Sequence, residues 1–472
     1  MLEGLEISEV FFSYVEKESN TFRFDDDYFS KSNIENQKLI RKKAYEKLSN
    51  LSYLITDFGA FSQMNFVSYE ESGVLFLRNQ NIKNNLVSTA DSVCITDEAY
   101  NRLSLKLAEG DVLMPRVGTL GGAAVIQAKH LPCSANQNLA QIKPNLNRIN
   151  TYFLSTFLCS KFGYSQVLKS ATGNVQPWLN LENIGNIEIP LVSKEFQSQI
   201  EATVLAAIAS TDKANTSYAK AESLLLDALG MANFSSNTEA INVKTFKASF
   251  VATGRLDAEY YQPKYEDFER MVVNHPLGFT TIASEYELIK QTSNRDKSAY
   301  NYIEIGDINV SDGAASFNCF DVEELPDNAK LEAKRGDLLI SKVRPNRGAV
   351  AIIDFDDADL IVSGAFTVLR EKEVSVFHNE TLKVLLRTKM YREWMLKFNI
   401  GTQYPVIRDE DILNLPIPCI DEPTQEKIAA LVKESFSLKA ESERLLDVAK
   451  RAVEIAIEQD ENAGMAYIES NS

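Results

Sequence analysis

The chain has 472 residues, 44% of them hydrophobic and 24% charged, which is room for more than one packed core at about 100–200 residues per domain. Its formal net charge of −17 argues at face value against nucleic acid, yet residues 194–240 and 421–472 together carry 9 basic against 18 acidic residues. More than half the excess therefore lies outside the two globular stretches, and DNA affinity depends on local basic patches rather than on the total. Cys94, Cys133, Cys159, Cys319 and Cys419 are odd in number and never spaced C-x-x-C, which suits reduced thiols in a cytoplasm better than a disulfide framework or a zinc site. No apolar run of about 18 residues predicts a membrane span, and the acidic N-terminal segment lacks the basic start of a signal peptide.

In chain order, NQKLIRKKAYEKLSNL predicts a first helix, and GVLFLR (Gly73–Arg78) a strand. Gly110-Asp111 predicts a turn feeding the strand VLMP. TYFLSTFLCSKFGYSQVLKS predicts a helix, and a short strand ends at Pro190. A long helix follows in which Ile200, Val204, Ala207, Thr211, Ala214, Tyr218, Ala221, Leu225 and Ala228 recur in steps of four and three, with Gly230 as C-cap.

The same order then begins again. PKYEDFERMVVN predicts a helix, NYIEIGDINV (Asn301–Val310) a strand, and Gly336-Asp337 a turn. NETLKVLLRTKMYREWMLKF predicts a helix, and a short strand ends at Pro418. A second long helix from about Pro423 to Gln459 places Ile428, Leu431, Ser435, Leu438, Ser442, Leu445, Ala449, Ala452 and Ala456 on one seam.

The chain is thus written twice. GDVLMPRVGTLGGAAVI recurs as GDLLISKVRPNRGAVAII at an offset of 226, and TGNVQPWLNLENIGNIEIP as IGTQYPVIRDEDILNLPIP at 228. Arg23, Asp25, Tyr28 and Phe29 are answered by Arg255, Asp257, Tyr260 and Tyr261 at 232. The expected fold class is α+β, with two similar globular domains each followed by a long helix. The seams are rich in Ala and Ser, so the helices approach closely but bury little, and the expectation is that they pair with one another. The expected boundaries are 1–193 for the first domain, 194–232 for the central helix and 233–242 for a linker. The second domain follows at 243–421, the distal helix at 422–460 and a flexible tail at 461–472.

Catalytic patterns are absent from the sequence. It holds no G-x-x-x-x-G-K-[ST], no strand-borne G-x-G-x-x-G and no G-x-S-x-G. His130, His275 and His378 stand far apart in unlike contexts, and DFDDAD (354–359) reads as a solvated turn without a second ligand cluster. The chain is expected to catalyse nothing and to hold no metal.

Base reading needs Arg or Lys for guanine, Asn or Gln for adenine, and cations or amides for phosphate. Loops rich in these types fall at equivalent places. In copy one they offer Arg78, Asn79, Gln80, Arg116, Thr119, Asn174 and Gln176; in copy two Lys342, Arg344, Asn346, Arg347, Thr402, Gln403, Tyr404 and Arg408. For helix pairing and subunit docking the candidates are Ile200, Val204, Tyr218, Leu225, Ile428, Leu431, Leu438 and Leu445.

The paired Gly-Asp blocks, the GTQYPVIRDEDILNLPIP segment and the runs KEFQSQIEATVLA and EPTQEKIAALVKE resemble the specificity subunit of type I restriction-modification systems. The resemblance implies two target-recognition domains, each reading one part of a split DNA site, and two long helices pairing antiparallel as a coiled-coil spacer. It further implies docking of methyltransferase (modification) subunits that use S-adenosylmethionine, with restriction subunits beyond them and no cofactor in this chain. Departures exist. Family members often enter the helix with Pro-x-x-Glu-Gln-x-x-Ile, whereas here Glu426 follows Gln425, and copy one keeps only Gln197 and Ile200. Two alternatives stay open at this point: a scaffold with two protein-binding modules on a coiled-coil stalk, and a decoy of the same fold that binds partners but no DNA.

Overall fold

The computed structural model describes residues 9–18, 28–59, 61–89, 92–173, 177–232, 234–237, 239, 241–356 and 359–471. The chain divides into two compact units, one of residues 1–211 with 439–472, the other of residues 212–438.

In the first unit, α1 (Phe12–Glu18) and α2 (Lys31–Arg41) lead into β1 (Tyr45–Lys47), α3 (Leu48–Leu51), β2 (Ser52–Asp57), β3 (Val74–Leu77), β4 (Val93–Ile95) and α4 (Asp97–Arg102). Then come β5 (Val112–Pro115), β6 (Ala124–Val125), β7 (Cys133–Ala135), β8 (Leu139–Pro144), α5 (Thr151–Cys159), α6 (Lys161–Ser170), α7 (Leu181–Gly185) and β9 (Glu188–Pro190), followed by α8 (Lys194–Ala228). An antiparallel sheet has the order β2-β8-β5-β6, a second sheet the order β4-β3-β7 with β3 and β7 parallel, and β1 pairs with β9. Strand β5 is an unbroken apolar run because both of its faces are covered. Val112 and Met114 join the core under the helices, while Leu113 between them joins the core against the second sheet.

The second unit repeats this plan. Its elements are α9 (Pro263–Val273), β10 (Phe279–Thr281), α10 (Ile282–Glu285), β11 (Tyr286–Ile289), β12 (Ala299–Ile303), β13 (Asn318–Asp321), β14 (Ala329–Glu332), β15 (Leu338–Ser341) and β16 (Val350–Ile352). They continue with β17 (Leu360–Ser363), β18 (Phe366–Glu371), α11 (Asn379–Arg387), α12 (Lys389–Met395), α13 (Asp409–Leu413), β19 (Pro416–Pro418) and α14 (Glu422–Glu458). The sheets run β11-β18-β15-β16 and β13-β12-β17-β14, with β12 and β17 parallel, and β10 pairs with β19. Leu338 and Ile340 again face one core and Leu339 the other. Each strand of the first unit has its counterpart, and β14 is the addition.

The Gly-Asp blocks owe their form to this frame. Gly110 and Gly336 take φ of +85° and +88°, open to glycine, and their N–H groups donate to Ile126 O (2.9 Å) and Ile353 O (2.8 Å). The aspartate is buried and closes the turn: Asp111 Oδ2 accepts from Ala108 N at 2.8 Å, and Asp337 Oδ2 from Lys334 N at 2.9 Å. Gln141 supports the first carboxylate and Arg370 grips the second with two bonds of 2.8 Å. The most conspicuous sequence block is therefore a structural clasp at the foot of the central strand.

Three expectations change. The first expected helix, NQKLIRKKAYEKLSNL, stops at Arg41, whose guanidinium pairs with Glu18 and Glu188, and the rest of that stretch forms β1 and α3. The helices expected over 151–170 and 379–398 each break in two, because Ser160 and Thr388 cap a new helix through their hydroxyls. The expected flexible tail is instead α15 (Glu461–Asn471), with Ile468 fully buried in the first unit. Gly464 permits this, since a Cβ there would lie 2.9 Å from the Phe196 ring.

The long helices pair within each unit. In the first, Ile200, Val204 and Ala207 of α8 share a core with Leu445, Ala449, Ala452 and Ala456 of α14, and the Thr211 and Ser442 hydroxyls meet at 2.8 Å. With Gly464 against Phe196, the partners run in opposite directions. In the second unit Tyr218, Ala221 and Leu225 share a core with Ile428 and Val432, and Ser217 Oγ donates to Glu434 at 2.9 Å. Of the named pairing residues, Ile200, Val204, Tyr218, Leu225, Ile428 and Leu445 are buried, while Leu431 and Leu438 are half-buried and Val432 takes the full burial beside them. Ala228 is exposed and Leu229 buried instead, since the helix ends there and turns through Gly230 at φ +65°.

Candidate nucleic-acid interface

In the first unit three loops distant in sequence are tied together, two by their main chains and the third through a side-chain amide. Asn79 Nδ2 donates to Val117 O at 2.6 Å. Val117 bridges to Trp178, Gly118 N donates to Pro177 O at 3.0 Å, and Leu179 N to Arg116 O at 2.8 Å. Thr172 and Trp178 exchange bonds of 2.9 and 2.8 Å, closing the third loop on itself. Arg78, Asn79 and Gln80 therefore stand beside Thr119 and Trp178. Gln80 and Thr119 are exposed; Arg78 is half-buried with its guanidinium 5.8 Å from the Tyr69 ring. Asn174 and Gln176 lie outside the described residues.

Arg116 behaves differently from its neighbours. Its side chain is 11% exposed, paired with Asp57, donating from Nε to Leu179 O at 3.1 Å, and 5.6 Å from the Trp178 ring. It props the tryptophan outward from beneath. Aromatic side chains thus belong to this face: Trp178, Tyr69, and Tyr164, whose ring fills the space where a Cβ of Gly121 would stand. Sequence reasoning weighted polar types and passed over them, although Trp178 stood within the repeated block TGNVQPWLNLENIGNIEIP.

The second unit builds the same face from different side chains. Val343 bridges to Val406, Arg344 N donates to Pro405 O at 2.8 Å, and Ile407 N to Lys342 O at 3.0 Å. Arg344 (φ +50°) and Gly348 (φ +78°) bracket the short 3-10 turn Pro345–Arg347, which leaves Arg344, Asn346 and Arg347 exposed. Thr402, Gln403 and Tyr404 are exposed on the adjoining loop, with the Arg344 guanidinium 5.5 Å from the Tyr404 ring. Asn399 Oδ1 holds the base of that loop, accepting from Gly401 N (2.8 Å) and Val406 N (2.9 Å). Lys342 is engaged by Asp409 at 3.1 Å, and Arg408 is exposed at the start of α13. The structure brings all eight candidates of copy two onto these two loops and the residue that follows them.

One further equivalence was missed. The turn after β3, Arg78-Asn79-Gln80-Asn81, corresponds at the 226 offset to Glu304-Ile305-Gly306-Asp307 after β12, and both form a 3-10 turn. The carboxamide of Asn81 and the carboxylate of Asp307 each accept from the main chain three residues earlier, at 2.8 Å. Extending the block alignment by one strand finds this turn in the sequence.

Beneath the second face lie two basic side chains with no copy-one counterpart, the buried Lys383 and the half-buried Arg387. Lys383 is fully buried, with Nζ 3.8 Å from the centre of the Phe436 ring and no hydrogen-bond partner, and burial pushes its pKa well below the usual lysine value, with Arg387 adding to the effect. At the 228 offset stand Ser155 and Cys159. Among the described residues no group of three or more His, Cys, Asp or Glu is placed to hold a metal, and no helix is long and apolar enough to cross a membrane.

Residues 32–222 match the family of the type I restriction modification DNA specificity domain, which bears out the resemblance for that stretch. The chain is 32% identical over 114 residues to the type I restriction enzyme HindI specificity subunit of Haemophilus influenzae, covering 24% of each chain. It thus spans about a quarter of that relative's length. Crystal structures of the HsdS subunit from Thermoanaerobacter tengcongensis and of the type I S subunit from M. genitalium are similar at 15% and 10% identity. The matches cover 88% of this chain and 97% and 95% of those chains, with TM-scores of 0.30 and 0.42.

Proposed function

We propose that this chain, whose residues 32–222 form a type I restriction-modification DNA specificity domain, is the non-catalytic DNA-recognition subunit of such a system. Each unit reads one half of a bipartite duplex target. The paired long helices act as the spacer on which methyltransferase subunits dock, with restriction subunits joining through them, in the cytoplasm. S-adenosylmethionine belongs to the methyltransferase partners, and this chain needs no cofactor of its own.

The observation that carries this reading is the repeated frame with divergent contents. Both units close two or more loops onto one face with main-chain hydrogen bonds, and both crown it with exposed polar and aromatic side chains. A backbone satisfied from within leaves side chains free to meet base edges, and a few bidentate contacts discriminate by about 1–3 kcal/mol each. Two unlike sets on one frame suit two unlike half-sites. Base edges fall to Gln80, Thr119, Arg344, Asn346, Arg347, Thr402, Gln403 and Arg408, with Trp178 and Tyr404 as stacking or apolar contacts. Arg116 and Lys342, already engaged by Asp57 and Asp409, support the loops.

The test is selection from random duplex DNA by the chain co-purified with its methyltransferase, with S-adenosylmethionine present. Enrichment of two short motifs at a fixed gap is expected. An intact complex that enriches nothing overturns the reading and favours a scaffold.

A further inference from the structure

Arg387 sits at the end of α11, away from the exposed loops, and spends its guanidinium on three separate elements of the second unit. Nη1 donates to Gly348 O at 2.8 Å, Nη2 to Val310 O at 2.8 Å, and Nε to the Tyr218 hydroxyl at 2.7 Å. Gly348 closes the turn that carries Arg344, Asn346 and Arg347, Val310 opens the loop that follows the turn after β12, and Tyr218 lies on the seam of α8. The fit is close on every side. A Cβ on Gly313 would fall 2.6 Å from Lys383 Cε and 3.1 Å from Arg387 Nη1, and one on Gly348 would fall 2.8 Å from Arg392 Cδ. In the first unit an uncharged Cys159 stands at the matching position, its thiol at the main chain of Asn85 and of Ala123, 3.2 Å from Ala123 N and 3.5 Å from its O.

We propose that Arg387 is a positioning residue for target recognition: it fixes the Arg344–Gly348 reading loop against the long helix α8, so the second half-site is read from a loop referenced to the helical spacer. This rests on the DNA-recognition reading above. A guanidinium suits the task because its planar fork directs donors along fixed lines to several acceptors at once, which a lysine ammonium does not reproduce. Arg344, Asn346 and Arg347 of the turn are exposed and Pro345 is buried beneath them; main-chain bonds at Arg344 and Gly348 are its other anchors. Removing the clamp at Gly348 O frees the turn to move while leaving every base-reading side chain in place. The first unit, which has a thiol rather than a guanidinium at this position, offers an internal control.

The experiment is the same duplex selection, run on the methyltransferase complex of the unaltered chain and of Arg387→Lys, Tyr218→Phe and Arg344→Ala. Arg344→Ala identifies which half of the motif the second unit reads. Arg387→Lys is expected to lower enrichment of that same half by roughly tenfold, the equivalent of one charged hydrogen bond at ~1.4 kcal/mol, and to leave the other half within about twofold. Tyr218→Phe deletes one acceptor and is expected to give a smaller loss in the same half. Complex assembly and thermal midpoint are measured alongside, and the Tyr218→Phe complex keeps the proposal testable should the Arg387 variant fail to assemble. Equal loss in both halves, or full retention of the second half in a folded Arg387→Lys complex, overturns the positioning role alone. A complex of the unaltered chain that selects no bipartite motif removes the recognition reading itself, and the two failures are thereby told apart.

Discussion

The two units share their sheets, their clasp and their loop ties, and differ in where they keep their cations. Both turn the cation at the matching place inward, Arg116 against Asp57 and Lys342 against Asp409; above it the first unit exposes Trp178, whereas the second exposes Arg344 and Arg347 and buries Lys383 below, with Arg387 half-buried beside it. The turn after β3 carries Arg78, while the matching turn after β12 carries Glu304 and Asp307. The lesson is that the frame is fixed by apolar alternation and main-chain bonding, whereas charge is distributed freely around it. A repeated fold therefore does not imply a repeated surface.

The largest effect expected is from Leu225→Asp, which places a carboxylate at a fully buried seam position of the second unit and costs about 3–5 kcal/mol. Denaturant unfolding followed by limited proteolysis is expected to show the second unit opening first. If both units open together, the division into separately packed cores is wrong. Next, Arg116→Ala strands Asp57 and releases Trp178, at a cost of about 1–3 kcal/mol. Lys342→Ala removes a pair that is 20% exposed on each side and costs about 1 kcal/mol or less. A reversal of that order in thermal midpoints breaks the contrast between these two inward cations.

Lys383→Met sharpens the comparison in the other direction. It replaces a buried amine that lies over the Phe436 ring without a hydrogen-bond partner by an apolar chain of similar length, and is expected to stabilise the second unit by about 1–3 kcal/mol at neutral pH. Burial depresses the folded-state pKa of Lys383, so above that value the unfolded chain binds the extra proton and stability rises with pH. The advantage of Lys383→Met is therefore greatest at low pH and narrows as pH climbs toward the usual lysine value of about 10.4. A constant gap across that range, measured by denaturant midpoints, would mean that the ammonium is not the cause. The smallest effect on folding belongs to Arg347→Ala, exposed and within about 0.5 kcal/mol of the unaltered stability. Its effect lies in binding: weaker duplex affinity with a salt slope reduced by about 1.

Much of the architecture was legible because it rests on periodicity and repetition. The seams of α8 and α14 were read from steps of four and three, and Gly110 and Gly336 announced turns that only glycine makes easily. What escaped was whatever depends on a distant partner. Ser160 and Thr388 look like ordinary helix residues until their hydroxyls are seen to cap a new helix. Arg41 reads as solvated until Glu188, far along the chain, claims it. Arg116 and Lys342 stand at the same place in their blocks, and only their acidic partners Asp57 and Asp409 set these two props apart from the exposed Arg344 two residues beyond Lys342. The tail at 461–471 gave no apolar stripe strong enough to foretell Ile468 in the core.

The main-chain ties that hold the loops have one more implication. Because Arg344 N–Pro405 O and Gly118 N–Pro177 O are backbone bonds, they survive almost any exchange of the side chains around them. Positions such as Gln80, Thr119, Asn346 and Gln403 can drift at little thermodynamic cost, since exposed substitutions of this kind usually shift stability by less than about 0.5 kcal/mol. The exposed face of one unit can thus be rewritten by a handful of point changes while its frame, and the whole of the other unit, stay as they were.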